Sequence, residues 1–270
     1  MKILCIGDIV GKPGRAAVEG LVKGLRKQHN VDFVIANAEN AAGGAGLTSR
    51  IAKSLLRNGC DVLTLGDHVW DQKEIEGYLA ETDKVIRPAN FPEGVPGKGW
   101  CIQTSESGKK VAVINLLGRV FMRYHLDSPF EVVEKLIAVI KKETPIIVVD
   151  IHAEATSEKV ALGHFLDGKV SAVFGTHTHI QTADEKILPQ KTAYITDLGM
   201  SGPYDSVIGQ NKEAIIKRFL TSMPIRFNVA KEGIELRGII VDVDETTGRA
   251  KSIKRVVEPF VLDDKSEDES

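Results

Sequence analysis

Short apolar runs alternate with polar stretches along this chain, and five of the runs share one character. They are brief, rich in β-branched residues and free of strict alternation, which is typical of strands buried on both faces of a mainly parallel sheet. Their sequences are KILCIG, DFVIANA, DVLTLG, PIIVVD and VSAVFG. The pattern therefore predicts a sheet that is covered on both sides.

Apolar positions at helical spacing lie between these runs. Pro13 and Gly14 open a helix whose apolar positions recur up to Leu25, and Thr48 or Ser49 caps a second helix that ends at Gly59. Two further helices are predicted at residues 131–142 and 158–166, each followed by a strand. The alternation of strands and helices predicts βαβ units and hence an α/β fold.

The strands change character from Trp100 onward. Turns at residues 231–233 and 244–248 join neighbouring runs at hairpin distance, which indicates a second and more antiparallel sheet. We expect strands in this part of the chain at residues 100–104, 110–116, 191–196, 225–229, 234–243 and 251–257. Two mixed sheets flanked by helices would form a four-layer sandwich.

Length and composition favour one domain. A chain of 270 residues with 43% hydrophobic content can bury a large core, and α/β domains commonly reach about 250 residues. The proline-rich and glycine-rich stretch at residues 87–99 is too short for a domain linker. We therefore expect a single domain over residues 1–262, followed by a disordered acidic tail, DDKSEDES, at residues 263–270.

The charge and the cysteine content limit which binding partners and which cellular compartment we expect. The chain carries 35 basic and 37 acidic residues, so no overall positive field favours a stable complex with nucleic acid or an anionic membrane. The three cysteines show no CxxC spacing, and neither a secretory signal nor a membrane-spanning run is present. These features predict a cytoplasmic protein.

Polar side chains follow each of the five apolar runs. The carboxyl ends of parallel strands share one edge of a sheet, so we expect these side chains to converge there. Carboxylates, an amide oxygen and imidazoles together suit divalent cations. The candidate metal ligands are Asp8, Glu39, Asn40, Asp67, His152, His177 and His179, and His68 is the candidate proton donor.

Each candidate also has a structural alternative. Asp8 could cap the glycine-rich turn that follows it, and Glu39-Asn40 could serve the turn at residues 43–46. His177 and His179 could form a structural pair, because residues two apart face the same side of an extended segment. His68 could support a ligand instead of transferring a proton.

The order of these residues carries a resemblance to a known family. Together with the stretches GDIVGKPGR, ANAENAAGG and GTHTHIQTAD, it resembles the calcineurin-like metallophosphoesterases, especially their YmdB-like branch of 2′,3′-cyclic-nucleotide 2′-phosphodiesterases. The similarity runs over almost the whole chain. It implies a metallophosphoesterase fold and a homo-oligomer that hydrolyses a small anionic phosphodiester, such as a 2′,3′-cyclic nucleotide, to a 3′-nucleotide.

The resemblance also implies how the site residues divide. Asp8, Asn40 and His179 would hold one metal ion, and Asp67, His152 and His177 a second, with Glu39 bridging the two. Such a pair of ions can lower the pKa of a shared water until hydroxide is available to attack phosphorus. His68 would protonate the departing ribose oxygen. The resemblance, together with the mixed oxygen and nitrogen ligands, implies iron or manganese, and the ligands alone neither choose between these two nor exclude zinc or magnesium.

Two positions depart from the family pattern. Val10 stands where the wider superfamily has a histidine ligand, and the amide of Asn40 compensates in the YmdB-like branch. Asp67 stands where that branch has asparagine, so our hypothesis is that it keeps or tightens metal binding and weakens phosphate binding. Two alternative functions are a phosphomonoesterase or nucleotidase with the same metals, and a weakly active metal-bound signalling or scaffold protein.

Overall fold

The computed structural model describes residues 1–262. Its strands are β1 (Lys2–Ile6), β2 (Asp8–Ile9), β3 (Phe33–Asn37), β4 (Val62–Thr64), β5 (Val85–Ile86), β6 (Trp100–Thr104), β7 (Lys110–Leu117), β8 (Ile147–His152), β9 (Ala172–Thr176), β10 (Lys186–Ile187), β11 (Ala193–Ile195), β12 (Met200–Pro203), β13 (Ile234–Val243) and β14 (Ala250–Pro259). Its helices are α1 (Gly11–His29), α2 (Ser49–Arg57), α3 (Ile75–Glu81), α4 (Pro129–Ile140), α5 (Thr156–Phe165) and α6 (Lys212–Thr221).

The first sheet has eight strands and joins the two ends of the described chain. Its order is β2-β12-β13-β1-β3-β4-β5, and β14 pairs with β13. The strands β1, β3, β4 and β5 run parallel, whereas β13 runs antiparallel to β1 and to β14. The carboxyl ends of β1, β3 and β4 therefore lie at one edge.

The second sheet has six strands in the order β10-β11-β9-β8-β7-β6. Its four central strands, β11, β9, β8 and β7, are parallel, and only the edge strands β10 and β6 are antiparallel. The register places His152 of β8 beside Thr176 of β9, so both strands end together.

Three apolar cores separate four layers. Alternate residues of β1 point to opposite faces: Leu4 and Ile6 pack against α1 and α2, whereas Ile3 and Cys5 pack into the core between the sheets. A third core lies between the second sheet and the helices α4 and α5, where Val149 and Leu162 are fully buried. This confirms the predicted α/β sandwich of two mixed sheets flanked by helices.

The predicted division of the strands between the sheets was wrong. The five apolar runs do not form one sheet, because β1, β3 and β4 belong to the first sheet and β8 and β9 to the second. The later strands β13 and β14 join the first sheet as an antiparallel extension, and the second sheet is mainly parallel. Burial on both faces gives the same apolar pattern in either sheet, so the pattern does not assign a strand to one of them.

One predicted strand is absent from the described chain. Residues 225–229 alternate in burial, but only Val229 forms a single bridge, to Gln210. The turn at residues 231–233 therefore does not close a hairpin, whereas residues 244–248 do connect the antiparallel pair β13 and β14.

The helices α3 and α6 were not predicted, and the predicted tail at residues 263–270 lies outside the described residues. Among residues 1–262, no helix is both long and apolar enough to span a bilayer.

Candidate metal centre

The two sheets supply different ligand types to one site. Asp8 lies in β2, Glu39 and Asn40 follow β3, and Asp67 and His68 follow β4, all in the first sheet. His152 ends β8, and His177 and His179 follow β9, in the second sheet. Oxygen-bearing side chains therefore come from one sheet and the imidazole ligand candidates from the other.

Four of the candidates form a tight cluster. One ligand atom from each of Glu39, Asp67, His152 and His177 lies within 4.8 Å of the others. His152 Nε2 is 3.0 Å from Glu39 Oε1 and 3.3 Å from Asp67 Oδ1. His177 Nδ1 is 3.4 Å from the same Asp67 oxygen. This spacing is compact enough for all four to meet one cation.

The other three candidates lie beside this cluster. Asn40 Nδ2 is 3.1 Å from His179 Nε2 and 3.1 Å from Glu39 Oε1. Asp8 Oδ1 is 3.9 Å from His179 Nε2. Glu39 Oε1 thus contacts both His152 and Asn40, which places this carboxylate between the two groups.

Every imidazole turns one nitrogen towards the centre and has the other held from outside. His152 Nδ1 contacts Thr176 Oγ1 at 2.9 Å, His177 Nε2 contacts Glu154 Oε2 at 3.1 Å, and His179 Nδ1 donates to the carbonyl of Ile208 at 3.0 Å. Metal-bound histidines characteristically have such an outer partner, which fixes the ring orientation.

An unsatisfied carboxylate oxygen supports the fit to a cation. Asp8 is fully buried, and its Oδ1 has no hydrogen-bond partner in the described chain, whereas Oδ2 accepts from the amide of His177 at 3.2 Å. Burial raises the pKa of Asp8. A buried oxygen of this kind is unfavourable without a positive partner, so the donor set fits a divalent ion.

The pKa directions show that the cluster favours positive charge. Burial lowers the pKa of His152, but Glu39 and Asp67 outweigh that effect and hold it well above its ordinary value. Burial raises the pKa of Asp67, yet hydrogen bonds with His152 and His177 outweigh it and hold that pKa far below the usual range. The carboxylates around His152 therefore favour a positive charge at this position.

Gly66 leaves room for this arrangement. A Cβ atom at this position would lie 2.2 Å from Glu39 Oε2 and 2.3 Å from His152 Nε2. Any side chain here would displace a residue from each side of the centre. The glycine before Asp67 is thus required by the close approach itself.

His68 lies at the rim of the site and is only partly exposed. Its Nδ1 is 2.7 Å from Asp71 Oδ2, and Asp71 Oδ1 accepts from Arg123 Nη1 at 3.2 Å. Burial lowers the pKa of His68, but Glu39 and Asp71 outweigh it, so the pKa is raised. Sequence reasoning missed Asp71 and Arg123, although the spacing of Asp71 three residues after His68 was a signal.

The loop that carries His177 and His179 has a strained backbone. Both residues have positive φ, 96° and 64°, a region that non-glycine residues avoid and that often marks functional sites. Asp197 holds this loop: its Oδ2 accepts from Thr178 Oγ1 at 2.6 Å and from the buried Lys159 Nζ at 2.7 Å. Neither Asp197 nor Lys159 was predicted, although Asp197 also follows a strand.

Two of the structural alternatives find no support in the contacts. The carboxylate of Asp8 does not cap α1, whose first residue follows Val10 without a side-chain cap. In the turn at residues 43–46, the amide of Gly44 bonds to the backbone carbonyl of Asn40 and not to its side chain.

Fold and site together define an α/β sandwich protein with a carboxylate–imidazole centre at the meeting edges of its two sheets. The chain belongs to the family of YmdB-like proteins, whose sequence profile matches residues 4–256. The resemblance seen in the sequence is therefore confirmed.

Relatives of known sequence or structure match nearly the whole chain. The 2′,3′-cyclic-nucleotide 2′-phosphodiesterase of Bacillus subtilis is 52% identical over 257 residues, which cover 95% of this chain and 97% of that protein. A solved structure described as a novel phosphatase of Mycoplasma pneumoniae is 35% identical, with a TM-score of 0.89 over 96% of this chain and 93% of that one. A Thermus thermophilus protein described as hypothetical is 40% identical, with a TM-score of 0.89 over 96% and 99%.

Proposed function

We propose that this protein is a metal-dependent phosphodiesterase that opens 2′,3′-cyclic nucleotides to 3′-nucleotides. One observation carries the proposal: ligand atoms from two different sheets meet within 4.8 Å, in a chain 52% identical to an enzyme named for this reaction. A compact set of carboxylates and imidazoles suits hydrolysis of a phosphate ester.

In this proposal the protein holds two divalent ions, with iron or manganese preferred. Asp8, Asn40 and His179 hold one ion, Asp67, His152 and His177 hold the other, and Glu39 is shared. The contacts of Glu39 Oε1 with both Asn40 and His152 support the shared role. When bound, the ions supply a water of lowered pKa and positive charge against the phosphate oxygens.

His68 donates a proton to the departing 2′ oxygen of the ribose. The contact of His68 Nδ1 with Asp71 supports this role, because the carboxylate accepts from Nδ1 and stabilises the doubly protonated ring, whose Nε2 proton is then available to the leaving oxygen. An alkoxide that leaves without a proton is a poor leaving group, so a positioned acid accelerates the step.

Metal analysis paired with a substrate comparison tests the proposal. Protein purified without chelator should carry about two metal ions per chain, as expected for a two-metal site. It should hydrolyse 2′,3′-cyclic nucleotides faster than 2′- or 3′-monoesters. Faster turnover of monoesters would favour the phosphatase alternative, which the description of the Mycoplasma pneumoniae structure raises. Metal-replete protein that hydrolyses neither would favour the scaffold alternative.

We propose that residues 1–262 form one domain. Its support is that β1 near the start and β14 near the end of the described chain both belong to the first sheet. A single cooperative unfolding transition is expected, and two separate transitions would contradict it.

The cytoplasm remains the proposed compartment, supported by Cys5, Cys60 and Cys101, which are all free and buried.

Self-association through α6 is also proposed, with a second copy of this chain as the partner. The helix has no buried residue, and its exposed apolar side chains recur at helical spacing. These are Ile216, Phe219 and Leu220, followed by Met223. An apolar stripe on both copies is self-complementary, as a two-fold interface requires. Replacing Phe219 and Leu220 with aspartate should lower the mass measured by light scattering, and an unchanged mass would exclude this interface.

A further inference from the structure

A buried aspartate outside the ligand set lies beneath the candidate centre. Asp150 is in β8, two residues before His152, and is fully buried. Its carboxylate accepts hydrogen bonds from Thr64 Oγ1 at 2.5 Å, Thr176 Oγ1 at 2.8 Å and Asn37 Nδ2 at 3.1 Å. No lysine or arginine of the described chain pairs with it. Burial of a carboxylate without a charged partner is unfavourable, and here three hydrogen bonds compensate for part of that cost.

The directions of two of these hydrogen bonds follow from their neighbours. Asn37 Oδ1 accepts from the backbone amide of Glu39 at 3.1 Å, so its Nδ2 is the atom that donates to Asp150. The hydroxyl of Thr176 has one proton, and a carboxylate can only accept, so that proton points at Asp150. The oxygen of Thr176 is then an acceptor towards its other neighbours.

This direction determines which nitrogen of His152 carries a proton. His152 Nδ1 lies 2.9 Å from Thr176 Oγ1, so in the neutral ring Nδ1 is the donor. Its Nε2 keeps a lone pair, and that atom faces Glu39 and Asp67 at 3.0 and 3.3 Å. A metal-binding histidine requires such a free lone pair.

We propose that Asp150 is a positioning residue that acts through Thr176 to present His152 Nε2 to the metal. This rests on the proposed metal-dependent function. The same carboxylate reaches Asn37 of β3, which holds the amide of Glu39, and Thr64 of β4. Asp150 thereby connects the oxygen side of the centre to its imidazole side.

The variant Asp150→Asn tests this, because the amide has nearly the same size. Its NH₂ group can donate to Thr176, whose hydroxyl then turns to donate to His152 Nδ1. The ring proton moves to Nε2 and blocks the ligand atom. Mn²⁺ titrated into chelator-treated, full-length protein should bind about 10–100-fold more weakly, as for other partners behind a metal ligand. Nitrogen NMR of the metal-free protein, recorded at a pH high enough for a neutral His152 ring, should show the exchanged tautomer in the variant.

Variants of Thr176 test the hydrogen-bonded connection from Asp150 through Thr176 to His152. Thr176→Val should weaken Mn²⁺ binding as Asp150→Asn does, whereas Thr176→Ser keeps the hydroxyl and should bind like wild type. The matched control is Thr192→Val, which removes another buried hydroxyl of the same sheet region, bonded to the carbonyl of Val170 at 2.7 Å. This control should leave Mn²⁺ affinity unchanged, even if it lowers the melting temperature.

The outcomes separate this inference from the proposed function. Wild-type Mn²⁺ affinity in both Asp150→Asn and Thr176→Val would overturn the inference. If Asp150→Asn does not fold, the valine and serine variants of Thr176 decide alone. Wild-type protein that binds Mn²⁺ with the expected ranking of variants but leaves cyclic nucleotides intact would contradict only the proposed function. Wild-type protein that binds no Mn²⁺ would overturn both.

Discussion

The two sides of the candidate centre are built differently. On the oxygen side, backbone amides hold the carboxylates: the amide of His177 donates to Asp8 and the amide of His68 to Glu39. On the imidazole side, side chains and strained backbone position the rings, as the contact of Thr176 with His152 and the positive φ of His177 show. The oxygen side contributes negative charge, and the imidazole side contributes ring nitrogens that are held in a fixed orientation.

Neither side would bind a cation well alone. Carboxylates brought this close repel one another, and the raised pKa of His152, against the lowering effect of burial, shows how strongly Glu39 and Asp67 attract positive charge. Neutral imidazoles add ligand atoms without adding repulsion. The centre thus depends on the packing of one sheet against the other, through the core that contains Cys5 and Phe174.

The largest expected effect comes from Gly66→Ala, which breaks the contact between the two sides. The new methyl group would overlap both Glu39 and His152. We expect metal binding to be lost and hydrolysis to fall by at least about 10⁴-fold, because metal ions supply several kcal/mol to activating water and to neutralising charge, at 1.36 kcal/mol per tenfold. Metal content and kcat/KM measure this.

Gly77→Ala is the matched control for that substitution. Gly77 lies in α3 with no atom within 4 Å of an added Cβ, so the same chemical change meets open space there. It should retain metal and activity and gain slightly in stability, because alanine favours a helix. Normal metal content in Gly66→Ala would show that the centre tolerates separation of its two sides.

A smaller loss is expected for His68→Asn, which leaves both sides intact but removes the proposed acid. Hydrolysis of 2′,3′-cyclic nucleotides should fall by about 10³-fold, within the range typical of general acid catalysis. Bis-p-nitrophenyl phosphate has a leaving group that needs no proton, so its hydrolysis should fall far less. Equal losses on both substrates would place His68 in metal or phosphate binding instead. The metal content should equal that of wild type.

The sequence predicted which side chains come together better than it predicted the arrangement of the strands that carry them. Asp8, Glu39 and His152 could be found because each follows an apolar run, and the carboxyl ends of parallel strands share an edge. That these runs belong to two sheets could not be found, because a strand buried on both faces has the same pattern in either sheet. Asp150 stayed hidden at the end of PIIVVD, since its role depends on Thr64 and Thr176, which are distant in sequence.

Asp67→Asn tests the oxygen side alone, because it removes one negative charge and keeps a side chain of nearly the same size. Asp67 Oδ1 contacts both His152 and His177, so the amide should weaken metal binding by about tenfold, as for the loss of one charged hydrogen bond. The amide can also donate to a phosphate oxygen, so KM for cyclic nucleotides should fall by a similar factor. Calorimetry with Mn²⁺ and steady-state kinetics measure the two changes. Unchanged KM and kcat would remove any special role for aspartate at this position.

The smallest effect concerns stability and comes from Asp8→Asn. Saturating Mn²⁺ at 100 times its Kd should stabilise wild type by about 2.7 kcal/mol, and a chain of this size gains roughly 2–4 °C per kcal/mol. In chelator the variant should melt a few degrees above wild type, because it removes a buried carboxylate whose Oδ1 has no partner in the described chain. With Mn²⁺ the order should reverse, because a neutral amide oxygen binds the ion more weakly than the carboxylate does. Thermal melts of both proteins in both solutions test this reversal, and a variant that is less stable in chelator as well would mean that Asp8 stabilises the fold without a cation.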